Sequence, residues 1–362
     1  MDFGLSEDQL LLEKTLRSFL QDRVPIARVR ELRDEPCPND RKIWKALAEL
    51  GATGVLIPEA HGGSGLSLLD AALVSESLGH AVTPTPFLSS AVMVPIALGA
   101  LAGAEPGPWL AGIATGDLVF GVAATETFSV REGAGVRLSG GRLSGKALMA
   151  LDACGADHVL LALGSHGLAV VRADAAGLTT SRLSTIDATR CLAELVLEEV
   201  APEAVFEDAS EAIARMLDAG RIALAADSLG ACEAMIEQAV GYAQQRKQFD
   251  RVIGSFQAVK HMCAEMIAEL EPARSLLWYA AHSFDALPGE APLMASQLLA
   301  HVSEIGREIA SVATQVHGGI GWTDEQNLHF WFKRIGVARH LLGGPEQLRD
   351  RAASLQGLTA VS

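Results

Sequence analysis

The segment Gln315-Val316-His317-Gly318-Gly319-Ile320-Gly321-Trp322-Thr323-Asp324-Glu325 carries the most structural information in the chain. Three of its glycines fall within four residues, so no Cβ keeps a bulky ligand away from the backbone. Thr323 and Gln326 have the spacing of a capping box, which predicts a helix that begins directly after the glycines. Free N–H groups and the positive dipole end at a helix N-terminus favour a pyrophosphate ligand.

A second segment, Arg246-Lys247-Gln248-Phe249, lies upstream of the glycines. The guanidinium of Arg246 offers a planar fork of donors that suits the same phosphates. Each segment alone has ordinary structural explanations, since Phe249 could be a core residue and Arg246 could cap the C-terminus of a helix. The order and the spacing of the two segments are what make them specific.

Composition places the chain among globular proteins. Its 362 residues are 49% hydrophobic and 20% charged, which leaves room for two or three domains. The net charge of −15 argues against nonspecific attraction to nucleic acid or to anionic lipid. No run of eighteen uncharged apolar residues predicts a membrane span. Residues 1–8 lack the basic start and apolar run of a signal peptide, so we expect a cytoplasmic protein.

The five cysteines are far apart in sequence and never form a CxxC pair. This argues against a structural zinc site or a disulfide framework and predicts buried free thiols in a reducing compartment. The chain has no HExxH motif and no GxSxG motif, so the sequence favours neither a metalloenzyme nor a serine hydrolase. We therefore predict no metal site.

Hydrophobic periodicity divides the chain into three predicted domains. Residues 1–117 have helical spacing, with helices expected over 68–80 and 87–102. Residues 118–205 contain short β-prone runs separated by glycine turns, which predicts an antiparallel β-domain. Residues 206–362 return to helical spacing, with further helices expected over 323–342 and 346–355.

Several segments, together with the two described first, resemble the acyl-CoA dehydrogenase family. They are Leu50-Gly51-Ala52-Thr53-Gly54, Ile57-Pro58-Glu59, Gly62-Gly63-Ser64-Gly65-Leu66, Glu76-Ser77-Leu78-Gly79, Leu143-Ser144-Gly145-Lys146 and Asp187-Ala188-Thr189-Arg190. The opening residues Met1-Asp2-Phe3, with Leu5, Ser6 and Gln9, are similar to the family's first helix. The resemblance implies an α+β fold with an N-terminal helical domain, a middle antiparallel β-domain and a C-terminal four-helix bundle.

The resemblance also implies an enzyme activity. The family dehydrogenates the α,β bond of an acyl-CoA thioester with FAD as cofactor. A carboxylate removes the α-proton while the β-hydrogen leaves as a hydride to the flavin. The electrons then pass to a separate acceptor such as electron-transfer flavoprotein.

In this family, residues of the FAD site reach across a dimer interface to the cofactor of a neighbouring subunit, and the resemblance implies the same for the matching residues of this chain. They are Arg246 for the pyrophosphate, Phe249 and Gln257 near the cofactor, and Gln315, Gly318 and Gly319 for the adenine side. Asp218 and Arg221 match residues near the bound acyl-CoA. The alternative for these two is a pair of charges at a helix terminus, matched to the helix dipole.

The chain departs from the family at the catalytic base. Leu342 stands where the family's glutamate is expected, seventeen residues after Glu325, and Gly220 occupies the alternative position before Arg221. At the flavin-ring end, Met149 and Leu151 replace the usual aromatic and hydroxyl residues. We therefore predict no catalytic residue in this chain.

Three accounts of this departure remain open. The chain could be the subunit of a heterotetramer that completes the FAD site of a glutamate-bearing homologue, as in bacterial steroid catabolism. A homomer could instead use a relocated carboxylate, with Glu126, Glu325 and Glu346 as candidates. The third account is a structural or regulatory protein, and the retained Arg246 and Gln315 argue against it.

Overall fold

A computed structural model describes residues 4–101, 106–129 and 131–358. The chain forms two compact units. One consists of Met1–Val29, Ala72–Thr83 and Arg221–Ser362, and the other consists of Arg30–Ala71 and Pro84–Gly220. The expected division into N-terminal helical, middle sheet and C-terminal helical parts is confirmed.

The N-terminal part contains six α-helices in the described residues: α1 (Glu7–Arg23), α2 (Ile26–Arg33), α3 (Arg41–Glu49), α4 (Leu68–His80), α5 (Val94–Gly99) and α6 (Gly107–Ala114). Helix α1 begins with a capping box in which the side chains of Ser6 and Gln9 each accept the other's backbone N–H. The predicted helix 68–80 is confirmed as α4. The predicted helix 87–102 is a π-helical stretch, Phe87–Met93, that continues into α5. Residues 1–3 and residue 102 lie outside the described residues.

The described residues of the middle part form an eight-stranded sheet. Its strands are β1 (Phe120–Ala123), β2 (Gly135–Ser139), β3 (Arg142–Leu151), β4 (His158–Leu163), β5 (Gly167–Arg172), β6 (Leu178–Arg182), β7 (Leu192–Val200) and β8 (Ala204–Phe206). The strand order is β6-β7-β3-β1-β4-β5-β8, and β2 pairs with β3. The expected antiparallel pairing has one exception, because β1 and β4 run parallel. Parallel strands need a crossover connection, and here the β2–β3 hairpin is part of it.

The C-terminal part holds three long helices and two short ones in the described residues, where the sequence predicted a four-helix bundle. They are α7 (Ser210–Gln245), α8 (Gln257–Ala286), α9 (Ala291–His317), α10 (His329–Ala338) and α11 (Pro345–Leu355). A two-stranded hairpin of β9 (Lys247–Gln248) and β10 (Arg251–Val252) connects α7 to α8. The predicted helix 346–355 is confirmed as α11.

Glycines allow α4 and α7 to pack backbone to backbone. A Cβ built on Gly79 would lie 1.9 Å from the carbonyl oxygen of Asp227, and one on Gly230 would lie 1.9 Å from the carbonyl oxygen of Glu76. No side chain can occupy either position without moving one of the helices. The middle of α7 is therefore enclosed by its own unit.

Candidate functional site

The C-terminal end of α7 presents the first predicted cofactor residues. Arg246 directly follows the helix, and its backbone N–H donates to the carbonyl of Tyr242 at 2.8 Å. Its side chain is exposed and has no partner among the described residues. The guanidinium is therefore available to an anion.

Phe249 stands at the tip of the β9–β10 hairpin. Phe249 and Asp250 have φ angles of 52° and 61°, so both central residues of this two-residue turn are left-handed, as a type I′ turn requires. Phenylalanine rarely adopts such a φ. The turn leaves the ring of Phe249 87% exposed, with only an edge contact to Phe256 at 6.2 Å between ring centroids. The alternative of a core residue is wrong for Phe249.

The glycine loop has a backbone that only glycine can adopt. Gly318 has φ 68° and ψ −148°, a region essentially closed to residues with a Cβ. A Cβ on Gly318 or Gly319 would meet nothing within 4 Å, so open space lies beside this loop. Gly321 has a packing role instead, because its Cβ would lie 2.9 Å from the carbonyl oxygen of Thr314.

The predicted capping box at Thr323 and Gln326 is wrong. The hydroxyl of Thr323 donates to the carbonyl of Ile320 at 2.8 Å and closes a 3₁₀ turn over Gly318–Trp322. Helix α10 begins only at His329. The loop therefore offers open glycine backbone to a ligand and not the N-terminus of a following helix.

A ring stack that the sequence did not reveal brings the two predicted segments together. The rings of Tyr242 and His317 stack with centroids 4.8 Å apart and planes 25° apart. Tyr242 precedes Arg246 by one helical turn, and His317 precedes Gly318. Nδ1 of His317 donates to the carbonyl of Ala313 at 2.8 Å. Arg246 and the glycine loop are therefore neighbours at one end of the helical unit.

The other predicted cofactor residues are consistent with this placement. Gln315 is exposed in the last turn of α9, just before the glycines. Gln257 is exposed at the first position of α8, after the hairpin. We call Arg246, Phe249, Gln257, Gln315 and the Gly318–Gly319 pair the open end of the helical unit.

The second group of predicted residues is buried. Arg221 is 4% exposed, and its Nε donates to the carbonyl oxygen of Leu342 at 3.0 Å. Leu342 is itself 4% exposed, with a left-handed φ of 57°, and Gly343 follows with φ 110°. The backbone turn at the expected base position is therefore held in place, but its side chain is hydrocarbon.

Asp218 and Arg221 are not helix-terminal charges. They lie in the third and fourth turns of α7, which begins at Ser210, whereas the dipole effect fades within the first turn. Asp218 is 3% exposed. Both residues remain candidates for the acyl-CoA site.

A buried ion pair connects α7 to α10 in the same unit. Nε and Nη2 of Arg334, on α10, donate to Oδ1 and Oδ2 of Asp227, on α7, at 2.9 and 2.6 Å. Both residues are less than 10% exposed. We call Arg221, Asp227, Arg334 and Leu342 the closed end of the helical unit.

The two ends are far apart along one helix. Arg221 and Gln245 are separated by twenty-four residues of α7, which corresponds to about 36 Å at 1.5 Å per residue. The residues that would grip a nucleotide are thus remote from the position where a base would act in the same chain.

The three candidate replacement carboxylates differ in their surroundings. Glu126 is half-buried, and its Oε1 accepts the backbone N–H of Leu148 at 2.8 Å. Glu325 is exposed in the turns before α10. Glu346 is exposed in the first turn of α11, with Arg339 at 3.7 Å, as expected for a charge matched to the helix dipole.

Strand β3 is irregular where the family has its flavin-facing residues. Met149 has a left-handed φ of 54°, and the register with β7 shifts between Ala147 and Ala150, which marks a β-bulge. Leu151 is 6% exposed. Both predicted ring-facing positions therefore carry apolar side chains.

Comparison with known proteins identifies the family. A family model described as the N-terminal domain of acyl-CoA dehydrogenase matches residues 6–117, and one described as the C-terminal domain matches residues 210–354. This chain belongs to the acyl-CoA dehydrogenase family. The expected oxidoreductase class is confirmed with it, and FAD is the cofactor of the family.

Similar proteins have the same length and architecture. The acyl-CoA dehydrogenase IpdE2 of Mycolicibacterium smegmatis is 30% identical over 97% of this chain and 100% of its own. A solved structure described as the Tcur3481-Tcur3483 steroid ACAD G363A variant is 29% identical, with a TM-score of 0.88 over 98% of this chain and 99% of the other. The ChsE4-ChsE5 complex from Mycobacterium tuberculosis is 25% identical, with a TM-score of 0.90 over 100% of both chains.

Two observations concern the described residues only. Within them, no group of three or more histidine, cysteine, aspartate or glutamate side chains could hold a metal ion. No helix there is both long and apolar enough to cross a membrane.

Proposed function

We propose that this chain is the glutamate-less subunit of a heteromeric acyl-CoA dehydrogenase. It contributes the open end to the FAD site of a homologous subunit that carries the catalytic glutamate. The observation that carries the proposal is Leu342, a buried hydrocarbon side chain in the turn where the family places its base. We also propose that the chain consists of three domains, 1–117, 118–205 and 206–362, and is located in the cytoplasm.

The open end fits the nucleotide half of FAD. The backbone at Gly318 and Gly319 borders open space, and Arg246 supplies an exposed guanidinium beside it. Nε2 of His317 is buried without a partner among the described residues. An unused hydrogen-bond acceptor therefore lies next to the glycine loop. Arg246 would hold the pyrophosphate, and Gln315, Gly318 and Gly319 would receive the adenine side.

The distance along α7 supports a shared site. The open end lies about 36 Å along α7 from Arg221, whose side chain holds the backbone of Leu342. A nucleotide held at the open end would thus direct its ring away from this chain's closed end. The exposure of Phe249 and of Trp322, which is 71% exposed, supports an apolar contact with a second subunit at this end.

The division of the chemistry follows from these positions. When bound, FAD would supply the acceptor for the hydride that leaves the β-carbon of the acyl-CoA. Leu342 cannot accept the α-proton, so the glutamate of the sister subunit must take it. This chain would bind and orient the cofactor through Arg246 and the glycine loop. Asp218 and Arg221 stay at the positions where the resemblance implies contact with the acyl-CoA.

The relatives support a substrate class and a set of partners. One similar structure is described as a steroid ACAD, and another as a complex of two differently named chains, ChsE4 and ChsE5. We therefore propose a steroid-derived acyl-CoA as substrate, a heterotetramer as the assembly, and electron-transfer flavoprotein as a suitable electron acceptor. The sister chain would be a homologue with glutamate at the position aligned with Leu342.

Cofactor content tests the proposal. The chain should be purified with a tag, alone and after co-expression with a glutamate-bearing homologue from the same organism. We expect FAD to co-purify only with the mixed assembly. FAD held at full occupancy by the chain alone would contradict the proposal.

Glu126 favours a second candidate, a homomeric acyl-CoA dehydrogenase with a relocated base. Its carboxylate is half-buried and bound to the backbone of β3 beside Met149, where the family's ring-facing residues lie. A homomer that dehydrogenates an acyl-CoA and loses this activity in Glu126→Gln would favour this candidate. The hydrogen bond to Leu148 argues against it, because it ties Oε1 of Glu126 to the backbone of β3.

A further inference from the structure

Three cysteines that are distant in sequence meet in the unit that contains the sheet. Cys37 lies between α2 and α3, Cys154 lies in the turn after β3, and Cys191 directly precedes β7. The Sγ atoms of Cys37 and Cys191 lie 3.0 and 4.0 Å from one carbonyl oxygen, that of Cys154. The sequence predicted separate buried thiols, but the structure groups three of them.

The surroundings of Cys37 are shaped for a thiol. Gly155 has a left-handed φ of 74°, and a Cβ there would approach Sγ of Cys37 to 3.0 Å. Nη1 of Arg182 donates to the carbonyls of Glu35 and Pro36 at 2.6 and 3.1 Å, which holds the preceding backbone. The loop is thus fixed in place with a guanidinium close to the sulfur atoms.

The three thiols differ in acidity. A hydrogen bond from Cys191 lowers the pKa of Cys37 to about 7, against the opposing effect of burial, and Arg182 lowers it further. The hydrogen bonds to Cys154 and Cys37 and burial raise the pKa of Cys191. A hydrogen bond from Cys191 also lowers the pKa of Cys154. Cys37 is therefore a thiol that ionises near neutral pH, while Cys191, 1% exposed, stays protonated.

We propose that Cys37 and Cys191 form a reversible disulfide when the protein meets hydrogen peroxide. The Cys37 thiolate attacks one peroxide oxygen, the O–O bond breaks, and the departing hydroxide takes a proton to become water. The sulfur of Cys191 then attacks the resulting sulfenic acid, the S–O bond breaks, and its oxygen leaves as water with the proton of Cys191. Two thiols are oxidised and one peroxide is reduced to two waters.

A dithiol reductant would restore the thiols by exchange. The bond would join the loop before α3 to the start of β7, two segments that only the fold brings together. Because it would restrict the unfolded chain, the melting temperature of the oxidised form should exceed that of the reduced form.

Thiol labelling tests the nucleophile. Cys263 is a matched control, since it is also partly exposed but burial raises its pKa above the usual value of a thiol. At pH 7 we expect iodoacetamide to alkylate Cys37 roughly fivefold faster than Cys263. The larger thiolate fraction of Cys37 outweighs its lower intrinsic nucleophilicity. Equal rates by mass spectrometry, or a faster Cys263, would overturn the assignment of Cys37.

Peroxide treatment followed by non-reducing peptide mapping tests the bond. The full chain should yield a Cys37–Cys191 peptide pair that dithiothreitol removes. Cys37→Ser and Cys191→Ser should abolish the pair, whereas Cys263→Ser should keep it. A sulfinic acid on Cys37 without a linked peptide, a bond between two chains, or a Cys37–Cys154 bond would each overturn the proposal, and the wild-type map decides even if a variant fails to fold.

Discussion

The closed and open ends of the helical unit have opposite character, although one helix connects them. At the closed end, Arg221 and Arg334 are buried and engaged, and Leu342 fills the expected base position. At the open end, Arg246 and Phe249 are exposed, and the glycine loop borders open space. The difference separates an end whose charged groups are engaged within the chain from an end that still offers groups to a ligand or a second chain.

The largest effect is expected from breaking the buried ion pair of the closed end. Asp227→Ala leaves the Arg334 guanidinium buried without its carboxylate, which should lower the free energy of unfolding by about 3–5 kcal/mol. Arg307→Ala is the control, because its side chain is 64% exposed and 3.9 Å from Glu304, so its loss should cost no more than about 0.5 kcal/mol. Urea unfolding measures both. Similar losses of unfolding free energy in the two variants would contradict the expected difference between the buried and the exposed ion pair.

Leu342→Ala separates packing from catalysis at the closed end. Removal of this buried side chain should lower the free energy of unfolding by about 2–4 kcal/mol, with no loss of turnover in the mixed assembly. Leu341→Ala, also at 4% exposure, should show the same pattern. A turnover that falls with Leu342→Ala and not with Leu341→Ala would mean that position 342 still takes part in the reaction.

The buried carboxyl of Glu76 makes the free energy of unfolding depend on pH. Its carboxyl packs beside α7, where burial raises its pKa from 4.5 to about 7, and the nearby Arg274 and Arg17 oppose this rise while Glu233 and Glu13 add to it. Between these two pH values the unfolded chain ionises Glu76 and the folded chain does not. The free energy of unfolding should therefore fall by up to about 3 kcal/mol as the pH rises from about 4.5 to about 7.

The variant Glu76→Gln should lose this part of the pH dependence. Urea unfolding at pH 5 and pH 8 gives the difference, with Glu233→Gln as the control for a neighbouring carboxylate. A wild-type curve that matches that of Glu76→Gln over this range would show that Glu76 is ionised throughout.

The smallest effect on stability, but a specific effect on FAD, is expected at the open end. Arg246→Ala should weaken FAD binding in the mixed assembly by about 10–100-fold, because a charge-assisted hydrogen bond to phosphate is lost. Its free energy of unfolding should change by less than about 0.5 kcal/mol. Lys247→Ala, an exposed neighbour, should keep the affinity. A fluorescence titration that finds no difference would exclude Arg246 from the cofactor site.

Local patterns predicted much of the fold. The helices over 68–80 and 346–355 and most of the strands follow from periodicity and turn residues. The irregularity of strand β3 could not be predicted, because the bulge at Met149 disturbs the alternation of its side chains. The parallel pairing of β1 with β4 depends on a long connection that no local pattern encodes.

The candidate site also combines what sequence patterns can indicate with contacts that only the folded chain shows. Resemblance pointed to Arg246, Gly318 and Leu342, whose roles stay predictions. The helix expected at Thr323 was wrong because the hydroxyl of Thr323 closes a 3₁₀ turn with Ile320. The Tyr242–His317 stack and the group of Cys37, Cys154 and Cys191 join residues that are distant in sequence. Contacts of this kind arise from packing and leave no trace in residue spacing.

Turnover of the mixed assembly tests the central claim most directly. The glutamate of the sister subunit is replaced by glutamine, and acyl-CoA dehydrogenation is measured at equal FAD content. We expect the assembly to form and to bind FAD but to lose turnover by at least about 10²-fold, because no other base is in place. Turnover at the unmodified rate would contradict the account, since a carboxylate of this chain would then have to remove the proton.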